Sequence, residues 1–186
     1  MKAGKLRRRR FLQAGATAAA AAATVSCGGV KSRWRYLSPE QARTLEAICE
    51  QIIPADRDPG ARNAGVVDFI DRQLAGFYRQ FRDVYRIGLT ALNDTSRQLH
   101  GADFAAMPWD QQTAVLRSIE SANTGGPAWQ GTSPAEFFSM VVAHTMQGFY
   151  GSPRHGGNRE AASWRMLGVP DPPIRGRDQY DLTKKG

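Results

Sequence analysis

The chain is poor in the side chains that build metal and redox sites. It has two cysteines, Cys27 and Cys49, and three histidines, His100, His144 and His155, in 186 residues. No His-x-x-x-His, Cys-x-x-Cys or Cys-x-x-Cys-His spacing occurs. A structural zinc site, a thiol redox pair and covalently held haem therefore lack their usual ligand sets. There is no Gly-x-Gly-x-x-Gly and no phosphate loop, so no nucleotide or flavin site is written into this chain. Asp56 and Asp58 lack the further oxygen ligands of a calcium loop and read as a solvated turn. No alternating strand run, internal repeat or sustained heptad is found. Acids are missing from the whole N-terminal stretch, where the first is Glu40.

That last absence locates the charge. The formal net charge is +8, from 25 Lys and Arg against 17 Asp and Glu. Lys2, Lys5 and Arg7 to Arg10 supply six of the positives. Beyond residue 27 the balance is 19 against 17, close to neutral. A phosphate-tracking, nucleic-acid-binding surface is not implied.

What is present at the N-terminus is a leader. Arg7 to Arg10 run into Phe11-Leu12, and a mild, alanine-rich apolar stretch from Ala14 to Val25 follows. It falls short of the roughly 20 strongly apolar residues of a membrane span. Arg8 and Arg9, one intervening residue, then Phe11 and Leu12 resemble the twin-arginine export signal, which carries folded cargo. Two ends of the leader stay open. Ala19-Ala20-Ala21 and Ala21-Ala22-Ala23 fit small-x-small cleavage. Thr24-Val25-Ser26-Cys27-Gly28 resembles a lipoprotein site with Cys27 lipidated, although Thr24 stands where leucine is usual. Cys49 falls on an apolar helical stripe and is expected to be a small buried hydrophobe, with an intermolecular disulfide as the alternative.

The body reads as all-α: an irregular bundle of about five helices with long loops and an extended, proline-rich C-terminal tail. The divisions are leader 1–27, linker 28–36, helical domain 37–168 and tail 169–186. The linker carries glycines and cations and is expected to be mobile. Ser38-Pro39-Glu40-Gln41 is a capping box opening the first helix, which Pro54 ends. A second helix is predicted from Val66 to about Phe81 and a third from about Val84 to Leu99. Asp68, Asp71, Arg72, Arg79, Arg82 and Asp83 read as their salted outer face. A fourth follows Pro108-Trp109-Asp110, and Ser133-Pro134-Ala135-Glu136 is a second capping box opening a fifth. That fifth helix is expected to break at Gly148 and at Gly151-Ser152-Pro153. Glu160 to Leu167 has room for one short helix with Trp164. His144, mid-helix, fits a satisfied core histidine.

Two stretches resemble the gluconate 2-dehydrogenase subunit 3 family. The first is Ile52-Ile53-Pro54-Ala55-Asp56 with Pro59-Gly60-Ala61, Ala64-Gly65-Val66-Val67 and Phe69-Ile70-Asp71. The second runs from Gly148 to Arg159, then Trp164 and Leu167-Gly168. The resemblance implies a small, non-catalytic subunit of a periplasmic flavin-dependent dehydrogenase. The large partner, of the glucose–methanol–choline type, would hold FAD and oxidise a sugar, aldonate or polyol. A multihaem cytochrome c subunit commonly passes the electrons onward. The small subunit would bring the large one through the twin-arginine translocase, and the complex would sit in the periplasm or on the inner membrane. No cofactor or metal is expected in this chain itself.

On that reading the grip on the partner is assigned to Tyr150, Arg154, His155, Asn158, Arg159 and Trp164, together with the tail. Tyr, Trp and Arg dominate binding energy at interfaces. Phe149, Tyr150 and Trp164 filling the chain's own core is the alternative. Two other functions are on the table: a lipid-anchored adaptor held through Cys27, and a stand-alone hydrolase using His155 with Ser152 or Asp56.

Overall fold

The structure, a computed structural model, describes residues 32–169. The export-signal residues Arg8, Arg9, Phe11 and Leu12, the lipidation candidate Cys27 and the tail beyond Val169 lie outside the described residues.

Six α-helices and no strand occur among the described residues. Helix α1 (Pro39–Ile52) opens as its sequence directs: Gln41 N–H donates to Ser38 Oγ at 3.1 Å, and Gln41 Oε1 accepts from Ser38 N–H at 3.0 Å. It buries Leu45, Ile48 and Cys49. The predicted second helix is two pieces. Helix α2 (Val66–Ala75) stops at Gly76, and a 3-10 turn (Arg79–Phe81) leads into α3 (Arg82–His100). The last carbonyls of α2 are taken by other donors, which closes the helix. Tyr78 N–H bonds Gln73 O at 2.7 Å, and Arg82 Nε bonds Leu74 O at 2.7 Å. The break leaves Phe77 80% exposed and turns Tyr78 inward.

Helix α4 (Trp109–Glu120) and helix α5 (Pro134–Tyr150) follow, with the short α6 (Ala162–Met166) last. Helix α5 is central, packing on α1, α2, α3, α4 and α6. Of its expected capping box only one half forms: Glu136 N–H meets Ser133 Oγ at 3.5 Å, and no return bond from the Glu136 side chain is made. Gly148 does not break this helix. A Cβ there would stand 2.9 Å from the Phe69 ring, so the glycine admits α2 to close range.

The described part of the linker is tied down. Asp71 is no outer-face residue: it is 4% exposed and accepts from the N–H groups of Arg35, Tyr36 and Leu37 at 2.7, 2.9 and 2.9 Å. A buried carboxylate needs such donors, and three successive backbone amides supply them. The Asp56–Asp58 turn is closed locally, with Asp58 N–H on Asp56 Oδ1 at 2.9 Å.

Candidate partner-binding site

The loop leaving α5 is pinned at both ends. Gly151 N–H closes the helix on Gln147 O at 2.9 Å. A 3-10 turn (Pro153–His155) follows, then Gly156 in the left-handed region at φ +104°. Asn158, Glu160 and Ala161 also have positive φ, at +44°, +53° and +54°. For Glu and Ala that conformation costs about 1–2 kcal/mol each, so the surroundings must impose it. They do so through Asn158. Its Nδ2 donates to Gly151 O and its Oδ1 accepts from Ser163 N–H, both at 2.9 Å. Asn158 is fully buried. Its expected place at an interface is thereby corrected: it is the internal brace of the loop.

The brace holds the remaining residues outward. Tyr150 is 38% exposed and sets its ring edge-on against buried Phe149, 4.9 Å away. Trp164 is half-buried, and its Nε1 donates to Tyr150 O at 2.9 Å. Arg154 and His155 are exposed, with Arg154 Nε donating to His155 Nε2 at 3.1 Å. That bond places the neutral ring's proton on Nδ1. No hydrogen bond joins the Ser152 hydroxyl to the His155 ring; the His155 backbone N–H bonds Ser152 O at 3.1 Å. The nucleophile–base contact that a hydrolase would use is not formed here.

Arg159 points another way. Its N–H donates to Ala64 O at 3.0 Å, and its guanidinium pairs with Asp68. Asp68 also takes Arg33 Nη2 at 2.8 Å on both oxygens. The Asp68 hydrogen bond and charge raise the Arg33 pKa. Gly65, at φ +69°, lies under the Arg159 side chain, where a Cβ would meet Nε at 2.6 Å. Arg72 Nη1 reaches Arg154 O at 3.4 Å. Gly157 passes so close over α5 that its Cβ would lie 2.1 Å from Gly148 O. The two stretches that carry the family resemblance thus meet, residue against residue.

Elsewhere His144 and Cys49 are interior titratable groups. Burial lowers His144 to about 4; its Nδ1 is 3.0 Å from the Tyr85 hydroxyl, and its ring stacks on Tyr78 at 4.2 Å. The Tyr78 hydroxyl donates to Gln147 Oε1. Burial pushes the Cys49 thiol up to about 12, and its Sγ lies 3.2 Å from Thr145 Oγ1. Cys49 is 1% exposed, as the stripe predicted. Among the described residues no group of three or more His, Cys, Asp or Glu side chains is placed to hold a metal ion.

The family model for gluconate 2-dehydrogenase subunit 3 matches residues 39–170. The chain belongs to that family. No curated protein and no solved structure matches it. In this subunit 3 chain the match runs from the first residue of α1 past the end of α6, so it contains both halves of the pinned loop and the α2 surface beneath it. The family's name makes it one subunit of a dehydrogenase. Sequence reasoning missed Asp68, Asp71 and Arg33 as loop and linker anchors. Asp71 carried a signal: it falls one helical turn from Val67 and Leu74, on the buried stripe.

Proposed function

We propose that this subunit is the non-catalytic escort of its complex. It binds the FAD-containing large subunit in the cytoplasm, stabilises it and carries it through twin-arginine export to the periplasm. One observation carries the reading. On a chain of this family, the loop after α5 is clamped from inside by Asn158 while Tyr150, Arg154, His155 and Trp164 are held at its surface. A pre-ordered patch of aromatic and arginine side chains loses little entropy on binding.

The interface test follows from the geometry. Arg154 and Tyr150 are free to be truncated, whereas Arg159 also ties the loop to α2 through Asp68. Tyr150→Ala with Arg154→Ala is expected to leave the subunit folded, by circular dichroism and melting temperature. Co-purification of the large subunit is expected to fall at least tenfold. Full recovery of the large subunit with the double variant rules the loop out as the grip.

A further inference from the structure

Helix α5 contains one charged residue, Glu136, and no other follows until Arg154. Its inner side is core, with Phe137, Val141, His144 and Phe149 buried. A helix with one side in water ordinarily charges that side. Helices α1 and α3 do so, with Glu40 and Arg43 exposed on one and Asp83, Arg86 and Arg97 on the other. Helix α5 exposes Glu136 in its first turn and, beyond it, only the uncharged Ser139, Ala143, Met146, Gln147 and Tyr150. At 3.6 residues per turn all six fall in one arc of about 100°, so the face carries a single charge, Glu136, at its N-terminal end. Met146 and Tyr150 are 42% and 38% exposed. Along one edge lies a groove of about 260 Å³ lined by four apolar residues, Ile52, Leu116, Phe138 and Val142, and four polar ones, Arg117 and Glu120 among them.

Charge depletion with Met and aromatic residues, and an arginine at the margin, is the composition of an interface centre. We propose that this outer face of α5 packs against the large dehydrogenase subunit. Ser139 and Ala143 admit an uncharged partner helix to close range, and one apolar partner side chain enters the groove. The inference rests on the escort reading and adds a second contact surface to it.

Two observations select that occupant over a second copy of this chain. Tyr150 belongs both to this face and to the clamped loop, so a single large partner covers the two without a gap. The α5 face alone is about 18 Å long, or roughly 200 Å² in area. Each side of a stable dimer contributes about 800 Å², so a second copy seated on the α5 face alone would bury too little to hold.

The test uses the full chain co-expressed with the FAD-containing large subunit that the escort reading assigns to it. Ala143→Arg sets a long cation in the middle of the face. Ala143 is exposed, so the free chain is expected to keep its melting temperature and stay monomeric in light scattering. Affinity for the flavoprotein is expected to fall at least tenfold, and Ser139→Lys to repeat the effect. Arg86→Glu, on the outer side of α3, is expected to change nothing. Equal affinity of wild type, Ala143→Arg and Ser139→Lys overturns the proposal. So does a wild-type dimer that Ala143→Arg converts to monomer, which would put a second copy on this face. If wild-type chain binds no flavoprotein at all, the escort reading fails first and this inference with it.

Discussion

Single residues decide how tightly the N-terminal segment and the core are held. Asp71 is one carboxylate facing three backbone N–H groups from residues 35–37. Asp71→Ala leaves those amides without their acceptor and is expected to cost at least about 3 kcal/mol, the upper figure for a single hydrogen bond to a charged group. Asp71→Asn keeps one acceptor but turns an amide donor toward other donors, so it recovers little. A urea midpoint measures the loss, and faster proteolysis around Arg35 shows where it acts. His144 makes a pH prediction. Unfolded, it takes up a proton near pH 6.5; folded, it does so only near 4, because burial disfavours the charged ring. Between those values the unfolded chain binds more protons, so the stability from keeping this ring neutral is lost as pH falls. The expected loss is about 2 kcal/mol between pH 7 and pH 5. His144→Phe removes the titration, and the gap between its urea midpoint and that of wild type is expected to narrow over that range. A gap that stays constant with pH contradicts the assignment.

At the scale of elements, two crossings hold the candidate site, and both depend on glycine. The chain at Gly157 lies directly on the Gly148 carbonyl, and a Cβ at Gly157 would stand 2.1 Å from that oxygen. Backbone cannot move aside as a flexible side chain can. Gly157→Ala is therefore expected to destabilise the subunit by about 2 kcal/mol and to free the loop, because overpacking forces backbone shifts. Hydrogen exchange of the amides bonded in the loop, Arg159 and Ser163, reads the second effect. The same crossings explain what was legible in the sequence. Caps and apolar periodicity are local, so the starts of α1 and α5, the stripe of Leu45, Ile48 and Cys49, and the all-α class could all be read from the chain. Gly148 was misread as a stop because its reason is non-local: Phe69 and Val66 of α2 press on it. Asn158 looked like surface for the same cause, since its two partners, Gly151 and Ser163, are joined only by the fold. The split at Gly76 was hidden because the apolar stripe continues across it through Tyr78 and Phe81. Periodicity reports which side faces inward, not whether the backbone stays helical between those positions.

For the whole molecule the question that the proposed escort role raises is the order of folding, partner binding and export. The proposed contact surfaces, the α5 face and the clamped loop, exist only once α2, α5 and α6 have packed, because Asn158 and Gly148 reach across them. An unfolded subunit presents neither surface. Largely helical bundles fold fast, since most of their contacts are local. Folding and capture of the large subunit would then come before translocation, as a route for folded cargo requires. Two perturbations separate the steps. Arg8→Lys with Arg9→Lys leaves the body untouched, so the two subunits are expected to co-purify from the cytoplasm while flavin-dependent dehydrogenase activity disappears from the periplasm. Asp71→Ala leaves the leader untouched but lowers the folded fraction, so periplasmic activity is expected to fall in step with the amount of large subunit bound. Fractionation followed by activity and immunoblot reads both variants. Normal periplasmic activity with the paired lysines in place would show that the large subunit crosses by another road, and that this subunit's part begins only after arrival.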